Sequence, residues 1–577
     1  MKKICTNEEN IQILISLLKE HNIKKAILSP GTSNISFVAS LQSDDYFEVY
    51  SCVDERSAAY MAVGLAEESG EPVILSCTGA TASRNYIPAL TEAFYNKVPI
   101  IAITASQPLG RVGQNVPQVL DRSRPLNDIV KKSITLDIVH SDEDRWKCNL
   151  NVNDVLLECK RNGGGPVHIN MVTVYSNEFI EEELPKQRVI NRYCDNEELP
   201  KINAKQVGIF IGNHNVFTDN QVKEIEKFCE NYNAVVLCDH TSNYNGKYKI
   251  LGNLVCNQNN SNLSHMDLMI DLGNVSGAAM SLRAKEIWRV NPDGEIRDTH
   301  KKITKIFSMQ EEVFFKEYNK MVSVTNSNTE YYNAFSAEDN RLRKKIEEVE
   351  LPFSNPWIAM NTIGKIEEDS IVHLAILNTL RSWNYFTTDK KIKFYSNTGG
   401  FGIDGIVSTA IGSSLSTDRI TYCFIGDLAF FYDLNSIGNN NIKKNLRIML
   451  INNGCGTEFH NYNNRAVPIY QKYDLKSDYI AADGHNGNKS DKLVKHLAED
   501  LGFEYITADN KKDFLKNIDY FTDSKQTKPI IFEVFTNYED ESNAIKQMNN
   551  LEFNAKNVAK KILGEKGIKF VKKIIKK

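Results

Sequence analysis

The chain has 577 residues, 41% hydrophobic and 25% charged, with a formal net charge of −4. Such a length suits about three or four globular domains, and the composition is that of an ordinary folded protein. A balance this near neutrality excludes a global basic footprint for nucleic acid, and no uninterrupted apolar run reaches bilayer-spanning length.

The opening MKKICTNEENIQILISLLKEHNIKK carries polar residues through what would be the apolar core of a signal peptide. Its spacing predicts an amphipathic helix, and hence a cytoplasmic protein. Apolar runs then alternate with helical patterns: KKAILSPG, FEVYSCVDE, PVILSCTG, PIIAITAS and GPVHINM read as strands of βα units in a parallel sheet. An acidic, irregular stretch, NEFIEEELPKQRVINRYCDNEELP, reads as a linker after residue 185. A second alternating block follows, with QVGIFIG, AVVLCDH, LMIDLG and EIWRVN as its strands. Residues 322–351 begin polar and aperiodic and end helical and charged, marking another boundary. The third block offers SIVHLAIL, KIKFYSN, RITYCFIGD, LRIMLINN and PIIFEVF. The expected architecture is α/β: three consecutive doubly wound parallel-sheet domains at 1–185, 186–335 and 350–545, then a basic tail at 546–577. The 11 cysteines are scattered without any C-x-x-C pair, which predicts free thiols in a reducing compartment rather than disulfides or zinc ligands.

Ligands gather at the carboxyl ends of strands in open parallel sheets, and three strand ends here carry unusual polar groups. The first is SPGTSN, where Pro30 and Gly31 force a turn. The second is VDERSAAYMAVGLA, which places Glu55 where a strand gives way to a helix. Asp54 and Glu55 can be read as a helix cap and a first-turn acid near the helix dipole. The third is the pair FIGDLAFFYDLN and RIMLINNGCGTEF, closing successive strands with Asp427 and Asn453. One βαβ crossover would bring that carboxylate and that amide oxygen together, a hard-oxygen set suited to Mg²⁺ completed by phosphates. Gly426 permits the turn, and the glycines of NGCG permit close approach to a diphosphate. A turn aspartate followed by an ordinary loop is the plainer alternative.

The G-D-x … N-N pattern resembles the diphosphate motif of thiamine-diphosphate enzymes. SPGTSN, VDERSAAYMAVGLA, CTGATASRNYIPALTEA, GFGIDGIVSTAIG and GDLAFFYDLN further resemble the branch that includes the menaquinone-pathway SEPHCHC synthases, over roughly residues 10–540. The resemblance implies a pyrimidine-binding domain, a central domain and a diphosphate-binding domain, in that order, with thiamine diphosphate and Mg²⁺ as cofactors. It implies that Glu55 hydrogen-bonds N1′ of the aminopyrimidine, favouring the imino tautomer whose nitrogen can take the C2 proton. It also implies cofactor contacts from Thr78, Gly426, Leu428 and the bulky aliphatic Ile403, metal ligation by Asp427 and Asn453, and a backbone carbonyl from Cys455. Gln114 and Gln118, in GRVGQNVPQVLD, are both candidates for the family's loop glutamine, with Gln118 the catalytic candidate and Gln114 a substrate contact.

The substrate side departs from that branch. Ser33 stands in SPGTSN where arginine is expected, and Thr398 stands in NTGGFGIDG for a second. A third expected arginine falls near Trp383, with Arg381 two residues away. Bidentate guanidinium recognition of carboxylates is hard to replace with neutral groups. The reading is therefore a decarboxylating carboligase with another 2-oxo acid donor and carbonyl acceptor, in surface-sugar biosynthesis. A true SEPHCHC synthase with a rebuilt clamp, or a simple 2-oxo acid decarboxylase, is the alternative. A homodimer or homotetramer is expected, with no nucleic acid partner. The tail KNVAKKILGEKGIKFVKKIIKK has nine lysines against one glutamate. It suits either peripheral contact with an anionic membrane or a helix docked on the protein.

Overall fold

The computed structural model describes residues 3–258, 262–278, 280–322, 328–485 and 489–551. Residues 552–577 of the expected basic tail lie outside the described residues, and its expected start at 546 falls inside the helix Tyr538–Asn549. Among them, no helix is long and apolar enough to cross a membrane, and all eleven cysteines are free. The chain divides into two compact units, Met1–Cys194 with Gly294–Ile306, and Asp195–Asp293 with Phe307–Lys577.

The first unit is built on a six-stranded parallel sheet. Its order is Glu48–Ser51, Lys25–Leu28, Val73–Cys77, Ile100–Ser106, Val167–Val172 and Lys132–Leu136. Strand residues alternate between the two faces, so the strands Lys25–Leu28, Val73–Cys77 and Ile100–Ser106 feed two cores. Ile74, Ile101 and Ile103 pack in one cluster with Leu14, Leu17 and Val152. Their neighbours Val73, Leu75, Ile100 and Ala102 pack in the other with Ala59, Ala62 and Ala89. Both faces are covered, which is why these strands read as continuous apolar runs. The helix expected near the N-terminus is Glu9–Glu20.

The second unit holds two further parallel sheets. In the first, Lys249–Leu251, Ala234–Cys238, Val207–Ile211, His265–Leu272 and Arg283–Val290 are consecutive neighbours. In the second, the order is Lys393–Tyr395, Ile371–Leu374, Thr421–Gly426, Leu446–Asn452, Ile530–Phe535 and Glu504–Ala508. Asn243, with φ +51°, joins the two sheets by donating to the Phe394 carbonyl (3.0 Å) and accepting from its N–H (2.8 Å).

Three parallel sheets flanked by helices bear out the expected α/β class. The linker expected after residue 185 needs correction, because Asn191–Cys194 is a strand. Phe179–Ile180, just before it, pairs antiparallel with Cys5–Thr6. The edge strands Lys132–Leu136 and Glu504–Ala508 were also unread; both are partly exposed and mix polar with apolar residues.

Candidate functional site

In the second unit the chain runs from Ile371–Leu374 outward to Lys393–Tyr395, then returns to the other side at Thr421–Gly426. The loops leaving the carboxyl ends of Ile371–Leu374 and Thr421–Gly426 therefore diverge, and a crevice opens between them. A cavity of about 110 Å³ lies there. Ala375–Thr379, Gly426–Ala429 and Asn453–Phe459 contribute its walls, together with Asn355 and Ile403. Gly426, Asp427, Leu428, Asn453 and Cys455 are thus brought together as expected, and Ile403 joins them.

Asp427 is the first residue of the helix Asp427–Tyr432 and is 3% exposed. Its carboxylate accepts the Gly454 N–H at 2.9 Å. Gly454 has φ +78°, a backbone conformation that favours glycine. Burial pushes the Asp427 carboxyl up to about 7. Two more buried carboxyls stand in this region. Glu541, also pushed up to about 7 by burial, accepts from Asn355 N–H (2.9 Å) and the Thr536 hydroxyl (2.8 Å). Glu533, raised by burial, accepts from the Asn452 amide and the Tyr505 hydroxyl, both at 2.7 Å. Among the described residues no lysine or arginine pairs with any of the three. A buried carboxylate with no cation, beside an amide oxygen and a glycine-rich loop, is a fitting seat for a divalent cation. Sequence reasoning missed Glu533 and Glu541, because a lone glutamate in an apolar strand or a helix start carries no local signature. It also missed Leu377, which lines the cavity with φ +68° and ψ −122°. A branched residue there stores strain of order 1–3 kcal/mol, as functional loops often do.

In the first unit, Asp54 is the N-cap of the helix Glu55–Ser69 and accepts the Ser57 N–H at 2.8 Å. Glu55 is half-buried and accepts from the Asn85 amide at 3.2 Å. The cap and the functional candidate are therefore neighbouring acids, each with its own partner. Ser33, 7% exposed, is hydrogen-bonded to the Thr78 hydroxyl. A Cβ on Gly31 would lie 2.6 Å from the Thr78 Cβ, so this turn requires glycine. Gln114 and Gln118 are both exposed in the loop after Ile100–Ser106. Missed in this unit was Arg122, a buried cation. Its Nε donates to the Asn170 amide oxygen (3.1 Å) and Nη2 to the Ala105 carbonyl (2.6 Å), while Nη1 has no partner among the described residues. In sequence it is one of several loop arginines.

The tentative substrate residues of the second unit are committed elsewhere. Arg381 donates through Nη1 to both carboxylate oxygens of Glu458, at 2.8 and 2.6 Å. Thr398 is buried and accepts from the Asn213 amide at 2.9 Å, which joins the two sheets. Trp383 is fully buried.

Comparison with known proteins agrees with this geometry. The family model for the N-terminal TPP binding domain of thiamine pyrophosphate enzymes matches residues 10–124. Proteins named 2-succinyl-5-enolpyruvyl-6-hydroxy-3-cyclohexene-1-carboxylate (SEPHCHC) synthase are similar over nearly their whole length. The one from Bacteroides thetaiotaomicron is 30% identical over 570 residues, 94% of this chain and 98% of the relative. That from Phocaeicola vulgatus is 30% identical over 569 residues, with the same coverage. That from Flavobacterium johnsoniae is 26% identical over 553 residues, 91% of this chain and 95% of the relative. The chain belongs to the thiamine-diphosphate-dependent enzyme family that these synthases represent. It is an enzyme, and thiamine diphosphate is its cofactor.

Proposed function

We propose that the protein decarboxylates a 2-oxo acid and transfers the remaining acyl unit to an acceptor, as a SEPHCHC synthase does. The observation that carries this reading is similarity to proteins of that name along 94% of the chain. Bound thiamine diphosphate supplies a nucleophilic carbon and an electron sink; the chain must hold it, orient it and manage its protons. Asp427, the Asn453 amide oxygen and the Cys455 carbonyl would hold Mg²⁺, and the ion would carry the diphosphate. Ile403 would press against the cofactor from the cavity wall. Glu55 would hold a proton at N1′ of the pyrimidine. Burial pushes the Asp427 carboxyl up to about 7, so loss of a proton there would accompany metal binding.

A second reading, that the substrates are a different 2-oxo acid and acceptor, is favoured by a specific observation. Arg381 spends its charge on Glu458, and Ser33 and Thr398 are neutral and buried. None of these positions offers a free guanidinium for substrate carboxylates. Incubating the holoenzyme with 2-oxoglutarate and isochorismate, and separately with pyruvate, decides between the two. Formation of SEPHCHC supports the synthase. CO₂ release from pyruvate, with no SEPHCHC from the other pair, supports the second reading.

We also propose a homodimer that shares its two cofactor sites. Val53 (77% exposed), Tyr60 and Met61, close to Glu55 in sequence, are exposed apolar residues, and such surfaces mark interfaces. Sedimentation at assay concentration tests this; an active monomer would refute it.

A further inference from the structure

The turn that follows the strand Leu446–Asn452 carries a second group of ligand atoms, of a different chemistry from Asp427 and Asn453. From Cys455 the chain passes into the short helix Thr457–His460. Two later helices, Ala466–Tyr473 and Ser477–Ile480, then lead it back to Asp483. A Cβ on Gly456 would lie 3.3 Å from both the Ala481 carbonyl oxygen and the Ala482 Cβ, so the two stretches pack directly together. As a result Cys455 Sγ, a ring nitrogen of His460 and a carboxylate oxygen of Asp483 all lie within 4.8 Å of one another.

The imidazole is held on three sides. Its Nε2 stands 2.8 Å from Asp483 Oδ1, its Nδ1 stands 3.4 Å from the Tyr470 hydroxyl, and the Tyr538 ring packs at 4.7 Å. The side chains of His460 and Asp483 are 8% and 22% exposed, and Cys455 is half-buried. A histidine–aspartate hydrogen bond alone is an ordinary structural contact; the thiol makes the difference. Its own contacts are long, to Asn453 Oδ1 at 3.7 Å and Thr457 Oγ1 at 3.9 Å. Bond lengths of about 2.0–2.3 Å set tetrahedral zinc ligands roughly 3.3–3.6 Å apart, so shifts of about an ångström would close this trio on an ion. Softness then separates the two sites. Carboxylate, amide and carbonyl oxygens suit Mg²⁺, whereas a thiolate with an imidazole suits zinc.

We propose that Cys455, His460 and Asp483 form a zinc site at the edge of the cofactor crevice, separate from the Mg²⁺ seat. The ion would displace the thiol proton to solvent, and three protein ligands leave a fourth position for water. The inference rests on these side chains, not on the substrate pair discussed above. Titrating holoprotein saturated with Mg²⁺ and thiamine diphosphate with Co²⁺, a spectroscopic substitute for zinc, tests it. Sulfur-to-cobalt charge-transfer absorption should saturate at one equivalent per chain, vanish on adding Zn²⁺, and survive a large excess of Mg²⁺. Co²⁺ entering the oxygen-lined Mg²⁺ seat gives no such absorption, so failure of the two sites is read separately. Cys455→Ser should abolish the absorption. His460→Gln and Asp483→Asn should each weaken zinc about tenfold or more, while leaving Mg²⁺-dependent binding of thiamine diphosphate unchanged. No sulfur-to-cobalt absorption in the parent, or zinc held equally by the parent, Cys455→Ser and His460→Gln, would overturn the site. Loss of thiamine-diphosphate binding in His460→Gln and Asp483→Asn would place the trio in the Mg²⁺ seat and overturn its separateness.

Discussion

Glu55 and Asp427 both follow the carboxyl end of a parallel strand, yet they are built for different duties. Asp427 is sealed at 3% exposure, raised to about 7 by burial, and surrounded by further buried acid. Glu55 is half-open, with one amide partner and exposed apolar residues close to it in sequence. The groups around the first, Asn453, Cys455 and the Gly454 N–H, come from its own unit. The second is a half-buried acid in the first turn of a helix. In the proposed reading, burial separates a residue that would hold a metal ion from one that would handle a proton.

Removing the held charge should produce the largest effect. Asp427→Ala should abolish metal-dependent binding of thiamine diphosphate, read by calorimetry, because the ion loses its anionic ligand. Glu55→Gln should instead keep binding and slow exchange of the cofactor's C2 proton about a hundredfold, read by NMR. If both variants lost binding alike, the division of duties would fail.

Stability sharpens the contrast. A carboxyl whose folded value lies above its ordinary one contributes fully below pH 4, and that contribution is lost as pH rises through 7. Metal-free Asp427→Asn should therefore be more stable than the parent at pH 8 by roughly 2–4 kcal/mol, the gap closing toward pH 4. Urea unfolding at the two pH values checks it. At the open site, Met61→Glu should leave the fold intact and weaken self-association about tenfold or more, by placing a charge in an apolar contact. Sedimentation equilibrium measures that.

How much of this could be read beforehand follows the same division. Strands buried on both faces, such as Val73–Cys77 and Leu446–Asn452, were legible because continuous apolar runs bounded by turn residues leave few alternatives. Asp427 and Asn453 were legible because their spacing matches one crossover between strands that do pair. Groups whose meaning depends on distant chain were not. Glu458 neutralises Arg381 from 77 residues away, and Glu541, on the last described helix, accepts from the N–H of Asn355 in the crevice wall. Thr398 reads as a substrate position until Asn213 is seen to hold it.

The account's central claim is that Asp427 and Asn453 hold the cofactor only through a divalent ion. Titration of thiamine diphosphate with and without Mg²⁺, at pH 8 and pH 6, tests it most directly. Binding should require Mg²⁺ and should weaken at pH 6, roughly tenfold for the one proton that Asp427 must release below about 7. Equal affinity without the ion would contradict it.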